Sequence, residues 1–401
     1  MKRFVLLLMC ILLPIPVIAQ NRVKLGIDVL FDKHKNLLQG KNIALITNHT
    51  GFNSELKSTI DLLFKEYNLA KLFAPEHGVR GEFYAGEYVP SYIDKSTGTT
   101  VYSLYGNTKK PTDEMLADVD VLIYDIQDIG TRAYTYIYTL SYSMEAASEN
   151  GLDFLVLDRP NPLSGTCVDG NILDEKFSSF IGRYPIPYIY GMTVGELAKL
   201  FNSEFEINCR LKVIEMENWD RGMHYEDTGL NWIYTSPHIP YDQTPLYCAV
   251  TGIIGELGSV SVGVGYTMPF QLIGAPWVES TNLTEELNSL KLEGVKFLPA
   301  NFKPFYGLYN GEKCSGVKII FTDRYKVKPF KTGIAILHTL NKLYPNAGIF
   351  QENRLKMFHY AMGTDKITDM IKNKSSLKEI FDWYEKDLNK FMEIREKYLI
   401  Y

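Results

Sequence analysis

The chain has 401 residues, 46% of them hydrophobic and 22% charged, which is enough to bury a large core in about two domains. Its 42 Lys and Arg against 47 Asp and Glu give a formal net charge of -5, and no basic stripe marks it for nucleic acid. No Gly-x-Gly-x-x-Gly follows the first strand, and neither a Walker-type loop nor a Gly-x-Ser-x-Gly elbow is present. This argues against a nucleotide cofactor and against an α/β-hydrolase nucleophile.

Lys2 and Arg3 precede an apolar run from Phe4 to Ile18, and Val17-Ile18-Ala19 suits cleavage before Gln20. Residues 1–19 therefore read as a secretory signal peptide, too short for a good membrane span. Met9 is too large to make Cys10 a lipoprotein site. The expectation is an exported chain, periplasmic or extracellular, with no stable membrane insertion after cleavage. Export would place Cys167, Cys209, Cys248 and Cys314 in an oxidising compartment, where a disulfide or four separate buried thiols are both open readings. Their spacing is not that of a zinc site.

From Val23 onward strands and helices alternate. Asn42 to Thr47 is a short apolar strand ending in Asn48-His49-Thr50-Gly51, and Ser58 opens an amphipathic helix through Tyr67. Ala70 to Ala74 is a strand stopped by Pro75, followed by Glu76-His77-Gly78-Val79-Arg80-Gly81. Further strands are expected at 101–104, 119–124, 154–157 and 211–216, with helices opening near Pro111, running over 134–149 and starting at a Thr193/Glu196 capping box. Such βα alternation predicts an α/β fold, a mainly parallel sheet covered by helices. Beyond about Trp219, prolines and the glycines between Gly252 and Gly274 break the pattern. A strand over 317–321, a helix from about 329 to 343 and a charged helix from Ser376 to about Tyr398 mark a second, α+β domain. The expected division is 20–219 and 220–401.

On a parallel sheet the carboxyl ends of the strands share one edge, where ligands bind. That edge should gather Asn48, His49, Glu76, His77, Arg80, Asp125, Asp128, Arg132, Asp158, Arg159 and Asn161. Paired carboxylates in a cleft suit glycoside cleavage. Arginines and asparagines suit a ligand's anionic and hydroxyl groups, and tyrosines such as Tyr134 suit sugar faces. Each of these residues also has a plain structural reading as a cap or ion pair. His49 and His77 lack the partner spacing of a metal site, so neither metal nor cofactor is expected.

The motifs Leu45-Ile46-Thr47-Asn48-His49-Thr50-Gly51, Ala74-Pro75-Glu76-His77-Gly78-Val79-Arg80-Gly81, Tyr102-Ser103-Leu104-Tyr105-Gly106, Asp125-Ile126-Gln127-Asp128-Ile129-Gly130-Thr131-Arg132 and Leu157-Asp158-Arg159-Pro160-Asn161-Pro162 together resemble the bacterial exo-β-N-acetylmuramidases, glycoside hydrolase family 171. Gly191 to Leu197 and Leu272 to Trp277 extend the resemblance over nearly all of the mature chain. It implies a Rossmann-like domain, a C-terminal auxiliary domain and an active site in the cleft between them. It also implies release of N-acetylmuramic acid from the non-reducing end of peptidoglycan fragments without a cofactor, with Glu76 as the proposed catalytic residue. One stretch departs from the family pattern: Gly255 to Phe270 lacks an arginine and most of the polar groups.

The expected roles follow. Glu76 would protonate the glycosidic oxygen, while Asp128 or Asp158 would serve as the second carboxylate, acting on water, on the transition state or on the sugar's own acetamido group. His77, Arg80, Arg132 and Arg159 are the candidates for the lactyl carboxylate, with Asn48, His49, Tyr134 and Asn161 completing the substrate site. The rival reading is a non-catalytic muropeptide-binding protein of the same fold.

Overall fold

The computed structural model describes residues 22–81, 83 and 90–401; the expected leader lies outside them. The first half comprises α1 (Gly26–Lys33), β1 (Asn42–Thr47), α2 (Thr59–Glu66), β2 (Asn68–Ala74), β3 (Tyr92–Ile93), β4 (Thr100–Ser103), α3 (Asp113–Leu116), β5 (Val121–Asp125), α4 (Tyr136–Glu149), β6 (Asp153–Leu157), β7 (Asp169–Ile172), β8 (Pro187–Ile189), α5 (Val194–Glu204) and β9 (Arg210–Ile214). Seven of these strands form one sheet in the order β3-β4-β2-β1-β5-β6-β9, parallel except at the β3 edge.

The central strands are apolar along their whole length because helices cover both faces. Leu140, Met144, Leu197 and Phe201 of α4 and α5 pack on one face, and Ile27, Leu30, Ile60 and Leu63 of α1 and α2 pack on the other. The expected capping box at Thr193 and Glu196 forms and opens α5. From β1 the chain steps outward through β2 to β4, then returns across β1 to lay down β5, β6 and β9. The carboxyl ends of β1 and β5 therefore flank a topological switch point, the usual crevice of a doubly wound sheet.

The second half contains α6 (Thr244–Gly255), β10 (Leu272–Ala275), α7 (Ser280–Ser289), β11 (Val295–Phe302), β12 (Cys314–Phe321), α8 (Pro329–Leu343), α9 (Glu352–Met362), α10 (Lys366–Lys372) and α11 (Leu377–Glu396). Strands β10-β12-β11 make an antiparallel sheet. Helices α6, α7 and α8 share a core with it through Val250, Ile254, Leu283, Phe297, Val317, Ile334 and Leu337. Helix α8 runs as the sequence predicts. Helix α6 was hidden by its prolines and glycines: Pro245 sits in its first turn, where the missing N–H costs nothing, and Gly252 and Gly255 are helical rather than part of a loop.

No break falls at the expected boundary. Trp219 packs with Val23 and Met216, and segment 220–243 crosses from one half to the other. Helix α11 belongs to both halves, placing Ile380 and Tyr384 in the C-terminal core and Phe391 in the N-terminal one. Cys167, Cys209, Cys248 and Cys314 are free thiols. Among the described residues no helix is long and apolar enough to cross a membrane, and no group of His, Cys, Asp or Glu is arranged to hold a metal.

Candidate functional site

Strand β2 stops at Pro75, which cannot donate to the ladder, and leaves Glu76 half-buried at the sheet edge. The turn that follows is tight. His77 and Gly78 both adopt positive φ, 76° and 77°, and His77 Nδ1 donates to the Phe83 carbonyl at 3.0 Å. A histidine held in left-handed backbone is costly, and such strain gathers at functional sites. Gly81 is required here: its φ is +79°, and a Cβ would lie 2.9 Å from the His49 ring.

The register of β2 and β4 pairs Ala74 with Ser103, so two residues further on Tyr105 comes level with Glu76. The Tyr105 hydroxyl hydrogen-bonds the Glu76 carboxylate, and burial together with that charge pushes the phenol's pKa up. From β1, Asn48 is buried with Oδ1 accepting from Thr50. Its Nδ2 is buried without a well-formed partner, beside the Tyr136 hydroxyl. His49 is also buried, with neither ring nitrogen in a well-formed hydrogen bond and the Tyr234 backbone beside the ring. Its ring lies 4.6 Å from that of Tyr234 and 6.5 Å from that of His77. Burial lowers the His49 pKa to about 4, so the imidazole is neutral.

The roof comes from the segment joining the halves. Tyr134 and Tyr136, at the start of α4, donate to Thr235 Oγ1 at 3.0 Å and to the Thr235 carbonyl at 2.8 Å. His238 Nε2 lies 2.9 Å from the Tyr306 hydroxyl of the second half, and burial and the neighbouring His77 lower its pKa. Glu76 thus sits among neutral hydrogen-bonding aromatics. Three roomier surface grooves, of about 570, 590 and 610 Å³, are lined by residues such as Phe381, His338 and Trp383 and hold none of these groups.

The other strand-end residues turn away from the cleft. Asp125 is fully buried and bound by Arg159 Nε and Nη2 at 2.6 and 2.9 Å and by Thr59. Asp158 is fully buried and accepts from Arg159 N, Thr193 Oγ1, Gly195 N and Tyr401 Oη. These four donors, two on each oxygen, hold the Asp158 carboxylate within the protein. Arg132 is also fully buried; its guanidinium donates to the carbonyls of Asn171, Ile186 and Met362 and ties the halves together rather than meeting ligand. Arg80 pairs bidentately with Asp94 at 2.7 and 3.0 Å. Asn161 fastens the Met192 carbonyl and the Leu163 amide. Arg80, Arg132, Arg159 and Asn161 each donate to protein acceptors, while Arg132 Nε is buried without a partner.

Asp128 is intermediate. Tyr190 Oη and Gly130 N bond its Oδ2, while Oδ1 is buried without a partner. Burial pushes the carboxyls of Asp128 and Asp158 up to about 7, against the pull of their hydrogen bonds. An unfolded aspartate releases its proton near pH ~4, so between about 4 and 7 the folded chain holds the extra proton. This contribution is complete below pH ~4 and is lost as pH rises through 7. His49 and His224, both lowered to about 4, act in the opposite sense. The Tm of Asp128→Asn relative to the unmodified chain therefore isolates Asp128: the difference should shift in the variant's favour between pH 5 and 8, and a flat difference would contradict this.

Sequence reasoning noted Tyr136 beside Tyr134 but assigned no site role to Tyr105, Tyr234, Thr235, His238 or Tyr306. The strand-end rule could have found Tyr105. The loop residues carry no periodic signal.

Comparison with known proteins places the chain in a family. The profile of exo-β-N-acetylmuramidase NamZ, N-terminal, matches residues 43–243, and that of exo-β-N-acetylmuramidase NamZ, C-terminal, matches 246–401. The peptidoglycan β-N-acetylmuramidase NamZ of Bacillus subtilis is 49% identical over 382 residues, 95% of this chain and 92% of that protein. A crystal structure of a DUF1343 family protein from Bacteroides fragilis is 43% identical with a TM-score of 0.90, covering 95% of this chain and 99% of that one. A second from the same organism is 30% identical with a TM-score of 0.77, covering 94% and 99%. The chain belongs to the exo-β-N-acetylmuramidase NamZ family.

Proposed function

We propose that the chain is an exo-acting β-N-acetylmuramidase that releases N-acetylmuramic acid from the non-reducing end of peptidoglycan fragments. The observation that carries this reading is Glu76: of the strand-end carboxylates Glu76, Asp125, Asp128 and Asp158 it alone is not buried. It stands at the cleft of a chain 49% identical to a peptidoglycan β-N-acetylmuramidase. Glu76 gives its proton to the glycosidic oxygen as the bond to C1 breaks. The buried state of Asp128 and Asp158 favours the sugar's own acetamido oxygen as the group that attacks C1, after which Glu76 draws a proton from water to complete hydrolysis. Asp128 acts through its hydrogen bond from Tyr190 rather than on the sugar. Asn48 Nδ2, His49 and His77 supply the donors for the lactyl and acetamido groups. The apolar leader with its Ala19 cleavage site supports action outside the cytoplasm, on cell-wall saccharides.

The test is incubation with a chromogenic N-acetylmuramic acid β-glycoside and its N-acetylglucosamine counterpart. Release from the muramic substrate alone is expected. Binding without release would instead make the chain a muropeptide-binding protein.

Tyr105 offers a finer check. Its hydroxyl donates to Glu76 and, being hard to ionise, remains a donor across the working pH range. Tyr105→Phe removes a hydrogen bond to the ionised carboxylate, a change of roughly 1.5–3 kcal/mol. The pH–rate profile should then move toward higher pH with KM little changed. An unmoved profile would show that Tyr105 only fills space.

A further inference from the structure

The loop between β11 and β12 presents two large rings to solvent. Phe305 is 64% exposed and Tyr306 50%, although apolar rings held open on a fixed loop are a poor use of surface unless something binds them. The loop is well held. Phe305 N donates to the Gly265 carbonyl at 2.7 Å, and Gly311 N to the Pro304 carbonyl at 2.9 Å. Tyr309 Oη donates to the Ser259 carbonyl at 2.8 Å. Gly265 has a φ of +92°, and a Cβ there would lie 2.2 Å from the Tyr306 carbonyl oxygen, so the loop backbone is pressed onto this glycine. Tyr266 backs the Phe305 ring at 5.4 Å and 30°.

These rings continue the site. His238 stacks on Tyr306 at 6.3 Å and 25° and bonds its hydroxyl at 2.9 Å. His238 shares this part of the cleft with His77, the residue next to Glu76. Ring contacts run from His77 to His49 and on to Tyr234, and His238, four residues further along the same segment, carries them to Tyr306 at the surface. Its supports, Ser259, Gly265 and Tyr266, fall in the 255–270 stretch whose sequence departs from the family pattern.

Resting on the glycosidase reading above, we propose that Tyr306, braced by His238, and Phe305 form the binding site for the leaving-side sugar, the N-acetylhexosamine still attached to the glycosidic oxygen. Pyranose rings carry C–H-rich faces that pack on aromatic faces while their hydroxyls stay wet, which suits half-exposed rings with polar tips. The 255–270 stretch then acts on specificity indirectly, by setting the height and angle of these rings.

The experiment compares two peptide-free substrates with chemically similar leaving groups: the disaccharide of N-acetylmuramic acid β-linked to N-acetylglucosamine, and the methyl β-glycoside of N-acetylmuramic acid. Tyr306→Ala should lower kcat/KM for the disaccharide roughly tenfold, mainly through KM, while the methyl glycoside and the Tm stay unchanged. Tyr306→Phe keeps the ring and should retain the disaccharide activity. Equal losses on both substrates would place Tyr306 in the muramic pocket and overturn the proposal. No loss on either substrate, or a loss seen only with peptide-bearing fragments, would also overturn it. Failure of the unmodified chain to cleave either substrate is a different result: it removes the glycosidase reading and the proposal with it.

Discussion

Glu76→Gln should lower kcat for disaccharide cleavage by roughly 10²–10⁴-fold, the range associated with a positioned general acid or base, while leaving Tm and substrate binding close to those of the unmodified chain. The side chain is nearly isosteric and half-buried at the cleft, and Tyr105 can still bond the amide oxygen, so little reason exists for the fold to change. The loss should also depend on the leaving group. An alkoxide needs its proton as the bond breaks, whereas a nitrophenolate departs largely unaided. The variant should therefore retain much more activity on a nitrophenyl muramide than on the disaccharide. An equal loss on both would assign Glu76 a role other than protonating the leaving oxygen. Full activity on both would remove it from the chemistry.

The second large effect concerns stability. In Arg159→Met, Asp125 keeps its buried carboxylate but loses Nε at 2.6 Å and Nη2 at 2.9 Å, and the Phe52 carbonyl loses its donor. Side-chain exposures of 4% and 0% mean that water cannot take over. Breaking one side of such a pair costs about 3–5 kcal/mol, and thermal or urea unfolding should show this as a large fall in stability. Replacing both members, Arg159→Met with Asp125→Leu, should recover part of the loss, because no charge is then left unpaired. Enzyme that remains folded should keep its KM for the muramic substrate. A raised KM with unchanged stability would return Arg159 to the ligand.

The difference between these two residues marks where sequence reasoning is strong and where it stops. A short apolar run ending in Pro75-Glu76, or in Asp125, locates a strand end, because only a strand buried on both faces has that pattern. The parallel sheet and its common edge follow. The direction in which an edge residue turns depends on partners far away in sequence. Asp158 is claimed by Thr193 and Tyr401, and Arg132 by the carbonyl of Met362. Burial also decides against charge: a guanidinium suited to a lactyl group is equally suited to capping buried carbonyls. In the second half, α6 was concealed by the same Pro and Gly residues that signal loops elsewhere. The roof residues Tyr234, Thr235 and His238 sit in irregular chain, where no period exists to be read.

The last turns of α11 and the residues after it have a consequence for the order in which the protein can mature. Arg395 donates to the carbonyls of Gly165 and Gly191, Phe391 enters the N-terminal core, and Tyr401 meets both Asp158 and the Met216 amide. During synthesis the Rossmann-like half emerges first, yet these groups wait, desolvated or exposed, for partners 185 to 243 positions later. The halves therefore cannot mature one after the other as independent domains often do. Closure of the seven-stranded half is a late event that waits for the last turns of α11 and the residues after it.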